Sequence, residues 1–156
     1  MPIHWQKQVE ADLIRDVRLG VLERVPFGEP VSWCHHMVVT RKQDGSPRST
    51  VDLSPLNKCC KRETCAIDTP LARRIPKGTF KTVTDAWNGY HGVLLRESDK
   101  HLTTFITPFG RFRYTRAPQG FVSSGDAYNQ RFAAILSDFE RKERCVDDTI
   151  FFDSEL

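Results

Sequence analysis

Apolar residues recur every four positions through Val9, Leu13, Val17 and Val21, with Ile14 and Leu22 widening the stripe. This is the period of an amphipathic helix and predicts one over 8–24, stopped by Pro26 and Gly28. The pattern then changes. Met37-Val38-Val39-Thr40 is a β-branched run, Asp44-Gly45 is a turn dipeptide, and Ser49-Thr50-Val51-Asp52-Leu53 is a second run. Together they predict a β-hairpin. Residues 59–78 contain Pro70, Pro76 and Gly78 and read as a long connection. Phe80–Thr84 predicts a strand ending at Asp85, after which Gly89 and Gly92 interrupt regular structure. Leu102–Thr107 and Phe112–Thr115 predict two more strands, joined through Pro108-Phe109-Gly110.

The strongest helical pattern runs from Ser123 to Phe139. Ser123 and Asp126 have the spacing of a capping box, and Tyr128, Phe132, Ile135, Leu136 and Phe139 form the apolar stripe. Glu140-Arg141-Lys142-Glu143-Arg144 is expected to leave the core. Cys145-Val146, the Asp147-Asp148 pair and Thr149-Ile150-Phe151-Phe152 then read as apolar strand, acidic turn, apolar strand. Strands and helices mix without regular alternation, so the expected class is α+β.

Composition narrows this little. The chain has 156 residues, 39% hydrophobic and 28% charged, which suits one domain with a core and excludes compositional disorder. No apolar run is long enough to span a membrane. The start, Met1-Pro2-Ile3-His4-Trp5-Gln6, lacks the basic and apolar regions of a secretory signal, so the expected location is inside a cell. A net charge of +3 does not by itself imply nucleic acid. Arg41, Lys42 and Arg48 flank one turn, while Arg111, Arg113 and Arg116 alternate along another segment. On charge alone, both read as solvated strand faces. The five cysteines are odd in number with no Cys-x-x-Cys pair, which fits free thiols. Cys34-His35-His36 with Cys59, Cys60 and Cys65 matches no common zinc spacing.

The acidic pair is chemically more informative. Adjacent carboxylates between apolar strands repel and lose solvation, an arrangement that a cation stabilises. The plain alternative is a hairpin turn, which aspartate also favours. Asp85 taken alone reads as a cap at a strand end.

Four segments, in order, resemble the motifs of reverse transcriptases. Val38-Val39-Thr40-Arg41-Lys42-Gln43-Asp44-Gly45-Ser46-Pro47-Arg48, continuing into Val51-Asp52-Leu53-Ser54-Pro55-Leu56-Asn57, is similar to the fingers hairpin. Asp85 through Tyr90-His91 is similar to the motif carrying the first catalytic aspartate. Phe109-Gly110-Arg111-Phe112-Arg113-Tyr114, leading to Ala117-Pro118-Gln119-Gly120-Phe121 and Ser123-Ser124-Gly125-Asp126-Ala127-Tyr128, is the third. Cys145-Val146-Asp147-Asp148 is similar to the paired-aspartate hairpin. Gly89-Tyr90-His91 after the first aspartate looks most like long-terminal-repeat retrotransposons of the gypsy type. The resemblance covers roughly residues 8–153.

The resemblance implies a partial right hand: fingers over about 1–60 and 95–118, palm over about 61–94 and 119–156, with an antiparallel palm sheet packed by helices. It implies RNA-directed DNA polymerase activity on an RNA or DNA template-primer, using deoxynucleoside triphosphates and two magnesium ions, with manganese as a substitute. Two such ions, about 3.5–4 Å apart, stabilise the attacking and leaving oxygens. By resemblance Asp85 and Asp147 are their principal ligands, Asp148 completes the cluster, and the Ala86 carbonyl contributes. Lys42 and Arg48 are assigned to the triphosphate, Gln119 lies along the incoming nucleotide, and Tyr90 is the steric gate against a ribose 2′-hydroxyl. Asp52, Leu53, Gly120 and Val122 fall near the templating strand. Cys145 stands at the primer end, where many family members have tyrosine. Pro47 replaces a commoner aromatic residue. Thumb, ribonuclease H, protease and integrase segments are not recognised in these residues; the resemblance implies thumb, ribonuclease H and integrase in a parent polyprotein, located in a cytoplasmic particle or the nucleus. The rival expectation is a truncated or domesticated remnant that at most binds nucleic acid.

Overall fold

The strands of the computed structural model, which describes residues 1–62, 75–145 (backbone alone at Cys145) and 148–154, form two sheets. Helix α1, Gln6–Arg18, lays Val9 and Leu13 on the core. It stops well short of the predicted end. Gly20 adopts φ +65°, the Gly20 N–H donates to Val17 O at 3.0 Å, and the Val21 N–H donates to Asp16 O at 2.9 Å. That pair of bonds is a Schellman termination, which glycine permits at no steric cost. Val21 and Leu22 are therefore buried from outside the helix, Leu22 in strand β1, Leu22–Arg24.

Strands β2, His35–Arg41, and β3, Pro47–Val51, form the predicted hairpin, in register from Met37 opposite Val51 to Arg41 opposite Pro47. Gly45 takes φ +86° in its turn, and the Asp44 carboxylate accepts bonds from the Ser46 N–H (2.9 Å) and hydroxyl (2.6 Å). These bonds hold that carboxyl below its usual range. Helix α2, Ser54–Cys59, follows, with Leu56 buried.

Strands β5, Phe105–Thr107, and β6, Gly110–Tyr114, complete a five-stranded sheet of order β1-β6-β5-β2-β3. β2 and β5 run parallel and the other pairs antiparallel. The strand expected from Leu102 begins only at Phe105, because 97–103 is a 3-10 helix. The Thr103 and Thr104 hydroxyls donate to Lys100 O (2.7 Å) and His101 O (2.8 Å), local bonds that compete with extension. Val9, Leu13, Val21, Leu22, Val51, Leu53, Leu56, Phe105 and Phe112 pack together as the core.

The alternating arginines are structural ties rather than solvated charges. Arg113 reaches Glu23 (2.5 Å) and Glu29 (2.6 Å), Arg111 donates to Pro26 O (3.1 Å), and Arg116 donates to Gly20 O (3.1 Å) and His91 O (3.0 Å).

Helix α3, Ser124–Ile135, is shorter than its pattern predicted. No capping box forms. Ser123 occupies the N-cap without a side-chain bond, and Asp126 is held by Arg62 at 2.9 and 3.4 Å. The helix buries Ser124, Asp126, Tyr128 and Asn129, while Ile135 is 61% and Phe139 53% exposed. Phe139 lies beyond the helix end and meets the Phe151 ring edge-on at 5.3 Å.

The second sheet joins β4, Phe80–Asp85, β7, Lys142–Cys145, and β8, Asp148–Asp153, in the order β4-β8-β7, all antiparallel. β7 is made from the charged segment expected to leave the core. It is held because Arg144 donates to Asn129 O (3.1 Å) and Oδ1 (2.7 Å), with its guanidinium over the Phe132 ring at 5.1 Å. Among the described residues, no helix is long and apolar enough to cross a membrane.

Candidate functional site

Register places two of the three acidic residues. Asp85, the last residue of β4, stands directly opposite Asp148, the first of β8, and Asp148 stands opposite Cys145 on β7. Directly opposed residues project to the same face, and the next pair along the ladder to the other. Thr84, Thr149 and Arg144 therefore share one face, where Arg144 meets α3 through Asn129, and Asp85 and Asp148 share the other, open face. Both aspartates are exposed. Among the described residues neither carboxylate accepts a hydrogen bond or enters an ion pair. Like charges facing across a ladder repel, so two unpartnered carboxylates on neighbouring strands suit a hard divalent cation with oxygen ligands. Asp147 lies between β7 and β8, outside the described residues. Among those described, which include Cys34, His35, His36, Cys59 and Cys60, no group of three or more His, Cys, Asp and Glu gathers as a metal site. His35 is buried, with Nε2 2.9 Å from Leu102 O. Cys65 is outside the described residues.

The turn after Asp85 is packed onto α3. Asn88 is left-handed (φ +52°), and a 3-10 helix, Gly89–Gly92, follows. A Cβ on Gly89 would stand 2.8 Å from Cε2 and 2.9 Å from Cζ of Tyr128, so only glycine lets the turn approach this closely. Half-buried Tyr90 meets Tyr128 edge-on at 5.6 Å, and Tyr128 stacks on Phe132 at 5.2 Å. Ala86, also half-buried, precedes this turn. His91 is pushed below its ordinary pKa, first by burial; nearby Arg116 acts the same way and Asp16 opposes it.

The segment carrying Gln119 sits between α2 and α3. Gln119 and Gly120 are exposed, and Gly120 has φ +89°. The Ser124 hydroxyl donates to Pro118 O at 2.7 Å. Asn57 Nδ2 donates to Gly120 O at 2.9 Å, while Asn57 Oδ1 accepts the Val122 N–H at 2.9 Å. Nothing in the periodicity separates Asn57 from an ordinary helix-surface residue, and its contacts span more than sixty positions of sequence. A Cβ on Gly120 would stand 3.8 Å from Val51 O. The template candidates Gly120, Val122, Asp52 and Leu53 thus share one neighbourhood. Within it, Leu53 is 2% exposed, so its side chain belongs to the core and only its backbone is available. The Asp52 carboxylate accepts the Ser54 N–H at 3.0 Å, and bonds to Ser54 hold it below its usual range. Lys42 and Arg48 are exposed on one face of the hairpin: Arg48 pairs with Thr40, and the Lys42 N–H donates to Ser46 O at 2.8 Å.

The chain is similar to transposon polyproteins of Schizosaccharomyces pombe. It is 33% identical over 160 residues to the Tf2-3 polyprotein and 31% identical over 159 residues to the Tf2-7 polyprotein, matching 99% of this chain in each case. It spans 12% of the length of these relatives. No protein-family model matches. Among solved structures, the foamy viral protease-reverse transcriptase in complex with an RNA/DNA hybrid superposes with a TM-score of 0.84 at 18% identity, over 97% of this chain and 20% of that one. The native prototype foamy virus protease-reverse transcriptase gives a TM-score of 0.83 at 21% identity, over the same shares. The fold is therefore that of part of the protease-reverse transcriptase chain.

Proposed function

We propose that these residues are the fingers and palm of an RNA-directed DNA polymerase from a gypsy-type retrotransposon, adding deoxynucleotides to a primer 3′-hydroxyl on an RNA or DNA template. The observation that carries this is the pairing of Asp85 with Asp148, far apart in sequence yet directly opposed at one sheet end on an open face. Every strand of the five-stranded sheet falls within residues 1–60 or 95–118, and every strand of the three-stranded sheet within 61–94 or 119–156. That division supports assigning the first sheet to fingers and the second to palm.

Asp85, Asp147 and Asp148 hold the metal ions on this reading, with the Ala86 carbonyl beside them. Two bound magnesium ions, or manganese in their place, would supply Lewis-acid stabilisation of charge on the attacking and leaving oxygens. Lys42 and Arg48 bind the triphosphate, Arg48 as a planar fork and Lys42 as a mobile point charge. Tyr90, backed by Tyr128, crowds the sugar 2′ position, and Gln119 lies along the nucleotide. Gly120, Val122, Asp52 and the Leu53 backbone face the templating strand, and Cys145 lies at the primer end.

Primer extension on an RNA template by the full-length protein tests this. Asp85→Asn and Asp147→Asn are expected to abolish extension while primer-template binding survives. Intact extension by Asp147→Asn overturns the assignment of roles.

A further inference from the structure

We propose that Asn57 is a positioning residue that sets the Gln119–Val122 segment against the templating strand and incoming nucleotide; this rests on the polymerase reading above. The amide uses both ends on one short stretch of backbone, donating to Gly120 O and accepting from the Val122 N–H, each at 2.9 Å. That double use fixes its orientation. Aspartate offers no donor to Gly120 O, leucine offers neither group, and glutamine keeps both groups but sets them one methylene further out.

The anchor for this clamp is rigid. Asn57 stands in α2 beside Leu56, which is 4% exposed, and α2 begins after core residue Leu53. Gln119 and Gly120 are exposed, and Gly120 adopts a backbone conformation that only glycine holds cheaply. Exposure also limits what the clamp does for folding. Water would replace the bond to Gly120 O at little net cost. What water does not replace is the fixed separation between α2 and the segment. Ser124 to Pro118 O and Arg62 to Asp126 hold the flanks, and Phe121 packs against the core and joins Pro118 O (3.5 Å) and the Ser124 N–H (3.1 Å) through its backbone; at Gly120 and Val122 the described hydrogen bonds come from Asn57. The clamp accordingly governs geometry more than stability, and small displacements of binding groups are costly to catalysis.

Two measurements on the full-length protein test this. The first is amide hydrogen exchange of Val122. Its protection should fall at least about tenfold in Asn57→Ala and largely persist in Asn57→Asp, which keeps the acceptor. Unchanged exchange in Asn57→Ala removes the clamp, whatever the protein does. The second is steady-state primer extension. Asn57→Ala and Asn57→Asp should raise the nucleotide KM about tenfold to a hundredfold, with kcat nearly unchanged, the melting temperature nearly constant, and partial rescue by Asn57→Gln. An unchanged KM, or activity lost in step with melting temperature, overturns the positioning role. A wild-type protein that extends no primer refutes the polymerase reading, and the positioning role with it, while the exchange result still decides the clamp.

Discussion

Gly89→Ala isolates one contact that ties the Asp85 turn to α3. A methyl group at this position would lie 2.8 Å from Tyr128 Cε2, 2.9 Å from Tyr128 Cζ and 3.2 Å from the Ala86 Cβ. Separations below 3.0 Å force movement, and Tyr128 has little room. It is 6% exposed, stacked on Phe132 at 5.2 Å and edge-on to Tyr90 at 5.6 Å. Gly89 does not require a left-handed backbone, so the penalty is steric rather than conformational. Inserting one carbon into a packed site of this kind costs about 1–3 kcal/mol. For a chain of this size, each kcal/mol shifts the melting temperature by about 2–4 °C, so the expected fall is roughly 2–12 °C. Calorimetry on wild type, Gly89→Ala, Tyr128→Leu and the double variant closes a cycle. Leucine lacks the ring atoms that clash, so the alanine penalty should drop below about 0.5 kcal/mol in that background. A Gly89→Ala protein that melts within about 1 °C of wild type, or a penalty undiminished by Tyr128→Leu, would refute the close approach.

Other consequences are equally direct. Burial holds His91 below its usual value of 6.5. The unfolded chain therefore binds more protons in that range, and stability is full above about pH 6.5 and declines as pH falls. His91→Gln should flatten denaturant midpoints between pH 7 and 5.5, and an unchanged slope would assign the loss to another group. Arg144→Met removes both bonds to Asn129 and should destabilise the protein by roughly 1–3 kcal/mol, read as a lower urea midpoint. An unshifted midpoint would mean that β7 is held otherwise. Asp148→Asn removes a like charge facing Asp85, so in metal-free, low-salt buffer the melting temperature should rise, and the gain should shrink as salt is added. A lower melting temperature under those conditions contradicts the opposed arrangement.

Where pattern and geometry parted, the cause was a local bond or a distant partner. The four-residue period ran through Gly20 and pointed to Pro26 and Gly28 as the helix stop. The Schellman bonds at Gly20 prevailed because a left-handed glycine satisfies carbonyls that would otherwise be exposed at the helix end. Ser123 and Asp126 had capping spacing, yet Asp126 is claimed by Arg62, a partner no local window contains. Lys142-Glu143-Arg144 looked like a solvated exit, and these residues joined a strand because Arg144 found Asn129 and Phe132 on α3.

Local chemistry along the chain determined the hairpin at Asp44-Gly45, the strand ending at Asp85, the strand after the acidic pair and the main body of α3, since each rests on neighbours within a few residues. It also singled out the acidic residues as chemically unusual. Only tertiary structure decided that Asp85 faces Asp148, that Gly89 must be bare to admit Tyr128, that Leu53 turns inward, and that Asn57 clasps Gly120 and Val122. These are long-range pairings selected by sheet register and side-chain packing, and a sequence window carries no term for a partner sixty residues away.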